Sequence, residues 1–287
     1  MFTARSRFIL PFVGRACFLL LSAAVFDPAL GQKPANTALP FPRGEELLYQ
    51  AEFKRGPVRG IDVAEFRFSA DAAQIAPKDT PRDDPMVLRL VGDVVSRGFF
   101  TKLAGFYYHQ HVESVVEANS FTVLRTSKLE EHGKRVRTSE AVFDHQSHKV
   151  TWTERDPNQS QAPRTTSVDF SEPIQDVLTV IYFLRTQRLE VGRSFDVPVS
   201  DSGRVFRFSV AVVERKQINS VLGRVNAVRV EPALFGENGM VRSPGTLSIW
   251  ITEDSRHLPV RAHLKINVGT FEIKLKQVRY RETDRAR

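Results

Sequence analysis

The sequence predicts a mainly β protein, an antiparallel curved sheet or open β-barrel packed around one principal α-helix at about residues 172–189. Three observations carry this expectation. Short segments of alternating apolar and polar residues recur along the chain, each closed by turn-forming residues. One segment, QDVLTVIYFLR from Gln175 to Arg185, is instead apolar at helical spacing. The only cysteine, Cys17, lies in an N-terminal stretch that reads as removable, so the fold rests on a buried core without disulfides.

The N-terminal stretch has the parts of a secretory signal peptide. Arg5, Arg7 and Arg15 are followed by an apolar run from Ala16 to Phe26, and then by Ala29-Leu30-Gly31 with small residues at the cleavage positions. Cleavage is placed after Gly31, giving a signal over 1–31. A retained anchor is the alternative, although the run is short for a bilayer span. Residues 32–44, with Pro34, Pro40 and Pro42, read as a linker. One β domain then covers 45–282, with no internal repeat.

Within that domain Leu47 to Lys54 reads as a strand, with Gly56-Pro57 and Gly60 as a turn and Ile61 to Phe68 as the return. Residues 77–85, PKDTPRDDP, read as a loop. Met86 to Ser96, Phe106 to Glu117, Ser120 to Leu129, Arg135 to Asp144 and Lys149 to Arg155 follow as strands. A second polar loop spans 156–163, and a short strand spans 165–170. Ser171 as N-cap and Pro173 in the first turn then suit a helix, which Gly192 ends. A helix apolar on nearly every side packs against the concave face of the sheet. Val205 to Glu214, Arg224 to Pro232, Gly245 to Thr252, and a hairpin about Gly269 complete the sheet. In the last arm Phe271, Ile273 and Leu275 share one face, and Glu272, Lys274 and Lys276 share the other.

The formal charge is +8. An exported protein rarely meets nucleic acid, so anionic lipid head groups or other acidic envelope partners are the expected complements, beside a basic surface with no partner at all. No transmembrane segment is expected after signal cleavage, and the location expected is periplasmic or secreted. No Gly-x-Ser-x-Gly elbow, phosphate-cradling loop or dinucleotide fingerprint is present, and no cofactor is expected. The sharpest metal candidates are His109, His111 and Glu113, which a strand places on one face at i, i+2 and i+4. A solvated polar face is the plainer reading. Asp176 and Arg185 fall at the two ends of the expected helix, where such charges complement its dipole. Arg185 reaching the sheet or a bound anion is the alternative.

GEELLYQAEF (Gly44 to Phe53), Gly60, QDVLTVIYFLR and IWITEDSRHLPVRAHLKINVGTFEIKLKQV (Ile249 to Val278) together resemble the DUF3108 family, exported bacterial proteins of unknown function. The resemblance implies an envelope protein with an open barrel around a helix, broadly like lipoprotein carriers. It singles out Asp176, Arg185, Trp250 and Asp254 as ligand-binding or structural residues, and supplies no catalytic ones. The leading functional expectation is non-enzymatic binding of a lipid-like or amphipathic ligand in an apolar cavity near the helix, or of an envelope partner. The alternatives are a metal-assisted enzyme using the His109/His111/Glu113 face, and a structural or assembly factor with no small ligand.

Overall fold

The structure, a computed structural model, describes residues 39, 41–73, 87–98, 107–237 and 239–281. The expected signal peptide, most of the expected linker and the 77–85 loop lie outside them.

Fifteen strands form one sheet. They are β1 (Glu45–Arg55), β2 (Val58–Ala73), β3 (Val87–Ser96), β4 (Tyr108–Glu117), β5 (Thr122–His132), β6 (Arg135–Asp144), β7 (Lys149–Arg155), β8 (Arg164–Asp169) and β9 (Gln175–Asp176). After the helix α1 (Thr179–Thr186) come β10 (Ser194–Asp201), β11 (Arg204–Ser220), β12 (Gly223–Pro232), β13 (Gly245–Thr252), β14 (Pro259–Ile266) and β15 (Gly269–Tyr280). The order across the sheet is β8-β7-β6-β5-β4-β3-β2-β1-β15-β14-β13-β12-β11-β10-β9. Pairing is antiparallel except between β9 and β10. The mainly β class, the single helix among the described residues and the open curved sheet are as expected.

Period-two patterning sets the two faces. On β1, Leu47, Tyr49 and Ala51 are buried, opposite Phe68, Phe66 and Ala64 of β2. On β15, Phe271, Ile273 and Leu275 join the same core, while Lys276 is exposed. The expected turn at Gly56-Pro57 is present, but Gly60 lies inside β2 with a φ of 71°.

The helix is shorter than expected, at eight residues. Residues 174–178 are buried in extended and turn conformations, because Gln175 and Asp176 pair with Val199 and Ser200 of β10. Gln187, extended at φ −87° and ψ 151°, ends α1 five residues before Gly192. The concave face of the sheet covers α1, and Val180, Ile181, Tyr182 and Leu184 are all buried. Phe41, in the segment read as linker, is also buried, against Phe121 and Tyr182 at ring separations of 6.0 and 5.0 Å.

The two ends of the sheet approach each other without a shared ladder. The β10–β11 turn carries Gly203 at φ 73°, so close to the inner face of β7 and β8 that a Cβ there would lie 3.1 Å from Thr166 and 3.2 Å from Trp152. Glycine meets both demands, a left-handed backbone and no side chain. The barrel is closed at this seam by side chains alone.

Candidate functional site

Each end of α1 is fixed by one buried charge. At the start, the Oδ1 of Asp176 accepts the backbone N–H groups of Leu178 and Thr179, both at 2.7 Å. Thr179 Oγ1 accepts the Asp176 N–H at 2.8 Å in return. This reciprocal pair satisfies donors that a helix start otherwise leaves open. The Oδ2 of Asp176 accepts the hydroxyl of Thr126 on β5 at 2.5 Å. Beside it, Lys128 of β5 donates to Asp201 of β10 at 2.9 Å. These two contacts tie the strands on opposite sides of the seam.

At the other end Arg185 is 1 % exposed. Its guanidinium holds Glu45 of β1 in a two-pronged pair, at 2.5 and 3.0 Å. It also donates to the Arg256 carbonyl at 3.2 and 3.1 Å. Phe41 and Tyr182 flank it, with ring centres 5.0 and 5.6 Å from the guanidinium carbon. Burial pushes the hydroxyls of Tyr49 and Tyr182 well above the usual tyrosine range. Arg185 thus reaches the sheet, as one of the two sequence readings held, and the partner it finds there is Glu45.

Asp254 belongs to the same network at one remove. It accepts Thr252 Oγ1 at 2.8 Å and the Arg256 backbone at 3.2 Å, and holds the Arg256 guanidinium. Burial opposes its charge, but bonds from Arg256 and Thr252 outweigh this and keep its carboxyl below the usual range. The turn so ordered presents the Arg256 carbonyl to Arg185. Trp250 points the other way, to the outer face of the sheet. Its register neighbours are Arg229 and Arg261, and the Arg229 guanidinium lies 5.9 Å from its ring. The four residues singled out by the resemblance therefore do not converge. Arg185 and Asp254 share a network, Asp176 holds the far end of α1, and Trp250 lies across the sheet.

His109, His111 and Glu113 do share the outer face of β4, but each turns to a neighbouring strand. Glu113 binds Arg89 at 2.5 Å, a contact that lowers its carboxyl against the opposing effect of partial burial. His111 bonds Asp93 at 2.7 Å, and His109 bonds Glu131 at 2.7 Å. Among the described residues no group of three or more His, Cys, Asp and Glu is placed to hold a metal ion.

The helix is enclosed by side chains. The core around it is filled by side chains, including Leu178, Val180, Tyr182 and Leu184. The space beside Asp176 and Val177, bounded by Thr126, Lys128, Ser200 and Asp201, is about 20 Å³, enough for about one water. Buried side chains surround α1 where the sequence reading expects an apolar cavity.

A larger opening lies along the seam. It is about 480 Å³ and is lined by Val168 of β8, by Gly203 and the Arg204, Val205 and Phe206 of β11, and by Glu237, Gly239 and Arg242 of the β12–β13 connection. Phe206 follows Arg204 by two positions, so both lie on the concave side. Sequence reading missed this groove because its residues come from three distant segments and no one segment carries a motif.

Among solved structures, a protein from Brucella abortus, described as a β-barrel-like protein of domain of unknown function DUF1849, superposes with a TM-score of 0.53 at 11 % identity, covering 83 % of this chain and 98 % of its own. It shares the fold. A Bacteroides fragilis protein, provisionally described as exported with a YmcC-like fold, gives 0.35 at 9 % identity over 85 % and 100 % of the two chains. A Parabacteroides distasonis protein, provisionally described as a lipoprotein, gives 0.32 at 8 % identity over 85 % and 100 %. These two are too distant to carry an argument. No curated protein matches the chain. No helix among the described residues is long and apolar enough to cross a membrane. The profile of DUF3108, a family of proteins of unknown function, matches residues 49–276, and the chain belongs to that family.

Proposed function

We propose that this protein is exported and serves in the cell envelope as a non-enzymatic binding protein, taking its ligand at the seam of the barrel and not in its interior. The groove of about 480 Å³ between the two ends of the sheet carries this reading. Its volume falls in the range of small-molecule sites, about 300–1,000 Å³. Apolar and basic side chains line it together, as an amphipathic ligand requires. The buried side chains packed around α1 favour the mouth over the interior as the place of binding.

Native mass spectrometry of protein purified from the periplasm, followed by organic extraction, tests it. An added discrete mass that extracts as an amphiphile supports the reading, and a bare chain refutes it.

The edge of β8 favours a second reading, an assembly factor that takes a partner's strand. β8 ends the sheet, and its sequence RTTSVD carries neither proline nor lysine, the usual guards of an edge. Cross-linking in intact envelopes from a residue placed at Ser167 tests it. A single partner, lost when Thr165→Pro is added, supports strand addition, and an unchanged cross-link pattern in that variant overturns it.

A further inference from the structure

We propose that the seam groove binds an amphiphile bearing one anionic group, phosphate or carboxylate, with Arg204 and Arg242 holding the anion and Val168 and Phe206 holding the alkyl chain. The proposal rests on the binding function set out above and names the ligand class.

Three features of the groove support it. First, the charges are arranged for one anion. Arg204 and Arg242 are exposed and line the same groove. Guanidinium groups bind phosphate and carboxylate oxygens through paired N–H donors. Glu237 lies in the same lining and disfavours a second negative group.

Second, the apolar part is continuous with the core. The Phe206 ring is half-buried and stacks against buried Phe208, with centres 6.1 Å apart and planes 22° apart. Val168 faces it from β8. An alkyl chain laid there covers apolar surface that water now wets.

Third, the site is built on fixed elements. The opposed pair Asp201 and Arg204 opens the β10–β11 hairpin, and the Lys128–Asp201 contact anchors that hairpin to β5. Arg204 therefore projects from a turn held on both sides.

Titration calorimetry on the purified protein, with decyl phosphate below its micelle concentration, tests the assignment. Decyl maltoside supplies the same chain with a neutral head, and inorganic phosphate the same anion without the chain. Decyl phosphate is expected to bind one per protein, at least about tenfold tighter than either comparison compound. Arg204→Ala and Arg242→Ala are each expected to weaken it about tenfold or more, and Phe206→Leu to weaken it without affecting inorganic phosphate. The arginine variants should melt at the wild-type temperature, since neither side chain supports the core.

Equal binding of decyl phosphate and decyl maltoside overturns the anion assignment, as does binding unchanged in both arginine variants. Equal binding of decyl phosphate and inorganic phosphate overturns the amphiphile and leaves a simple anion site. Should decyl phosphate fail while the periplasmic protein still carries an extractable mass, this ligand class is wrong and the binding function stands. If both are absent, both fall.

Discussion

Arg185 and Glu45 lie 140 positions apart, and their side chains meet in an ion pair that is fully buried on both sides. The pair joins the end of the helix to the first residue of β1. Through the Arg256 carbonyl it also holds the β13–β14 turn. Such a pair is stable only when both members are present, because a lone buried charge has neither water nor a partner.

Arg185→Met and Glu45→Leu are each expected to destabilise the protein by about 3–5 kcal/mol. The double variant Arg185→Met/Glu45→Leu should recover much of that loss. Chemical denaturation of the three variants, read as a double-mutant cycle, checks both statements. Additive losses would show that the two groups do not act as a pair.

Asp176 acts on both the helix and the seam, and the two roles separate by mutation. Thr126→Val removes the seam contact and leaves the Oδ1 bonds to Leu178 and Thr179 in place. A loss of about 1.5–3 kcal/mol is expected, the usual value for a hydrogen bond to a charged group. Amide exchange should quicken in β5 and β9 and stay slow in β1 and β15. Asp176→Ala removes both roles and should cost more than Thr126→Val.

Glu272 sets an acid limit on stability. Burial raises its pKa, but Lys54, Lys274 and His263 outweigh that effect and bring it down to about 2, from an ordinary 4.5. A lowered carboxylate pKa stabilises the fold above the unfolded value, and this contribution disappears as pH falls through the folded one. Stability contributed by Glu272 is therefore complete above about pH 4.5 and lost toward pH 2. Glu272→Gln should flatten the stability profile in that window. Parallel profiles for wild type and variant between pH 2 and 5 would contradict the assignment.

Phe41 extends the fold beyond the expected domain boundary. Its ring covers Arg185 and packs on Phe121 and Tyr182. Phe41→Ala is expected to cost about 3–5 kcal/mol, and a chain beginning at Gly44 should lose a similar amount. Thermal unfolding of the two against wild type decides whether this segment is linker or core.

Strand patterning made much of this architecture legible. The alternation in β15 and β13 places their core faces correctly, and most hairpin turns fall where glycine, asparagine or histidine marks them. β10 is hard to read from sequence because Pro198 stands in its middle, although Phe195, Val197 and Val199 alternate with Asp196 and Ser200. Proline is tolerated there because β10 lies near the sheet end, where β9 covers only Val199 and Ser200. The helix was drawn too long because buried extended residues and buried helical residues look alike in an apolar run. Ile174 and Val177 belong to the first kind and Ile181 and Leu184 to the second.

The site was less legible than the fold. Helix-dipole reasoning places Arg185 in the last turn correctly, but Asp176 lies in β9 ahead of the helix and not in its first turn, and neither Thr126 nor Glu45 can be named before the sheet folds. His109 and His111 share a face, as spacing requires, but their partners Asp93 and Glu131 come from β3 and β5. The seam groove has no signature in any one segment.

The order of strands has a consequence for how the chain is made. Every ladder joins strands consecutive in sequence except β1 with β15, and that one spans more than two hundred residues, as the contact of Glu52 with Lys274 shows. The same junction is closed by Gly44, whose carbonyl accepts the Arg281 N–H at 2.8 Å. Synthesis delivers β1 early and β15 last. Until β15 is made β1 is an unpaired edge, and until α1 and the second half-sheet follow, the apolar face beside it is uncovered. The species most exposed to aggregation is thus the half-made chain and not the finished protein, and the pairing that joins the two chain ends is the step that removes the hazard.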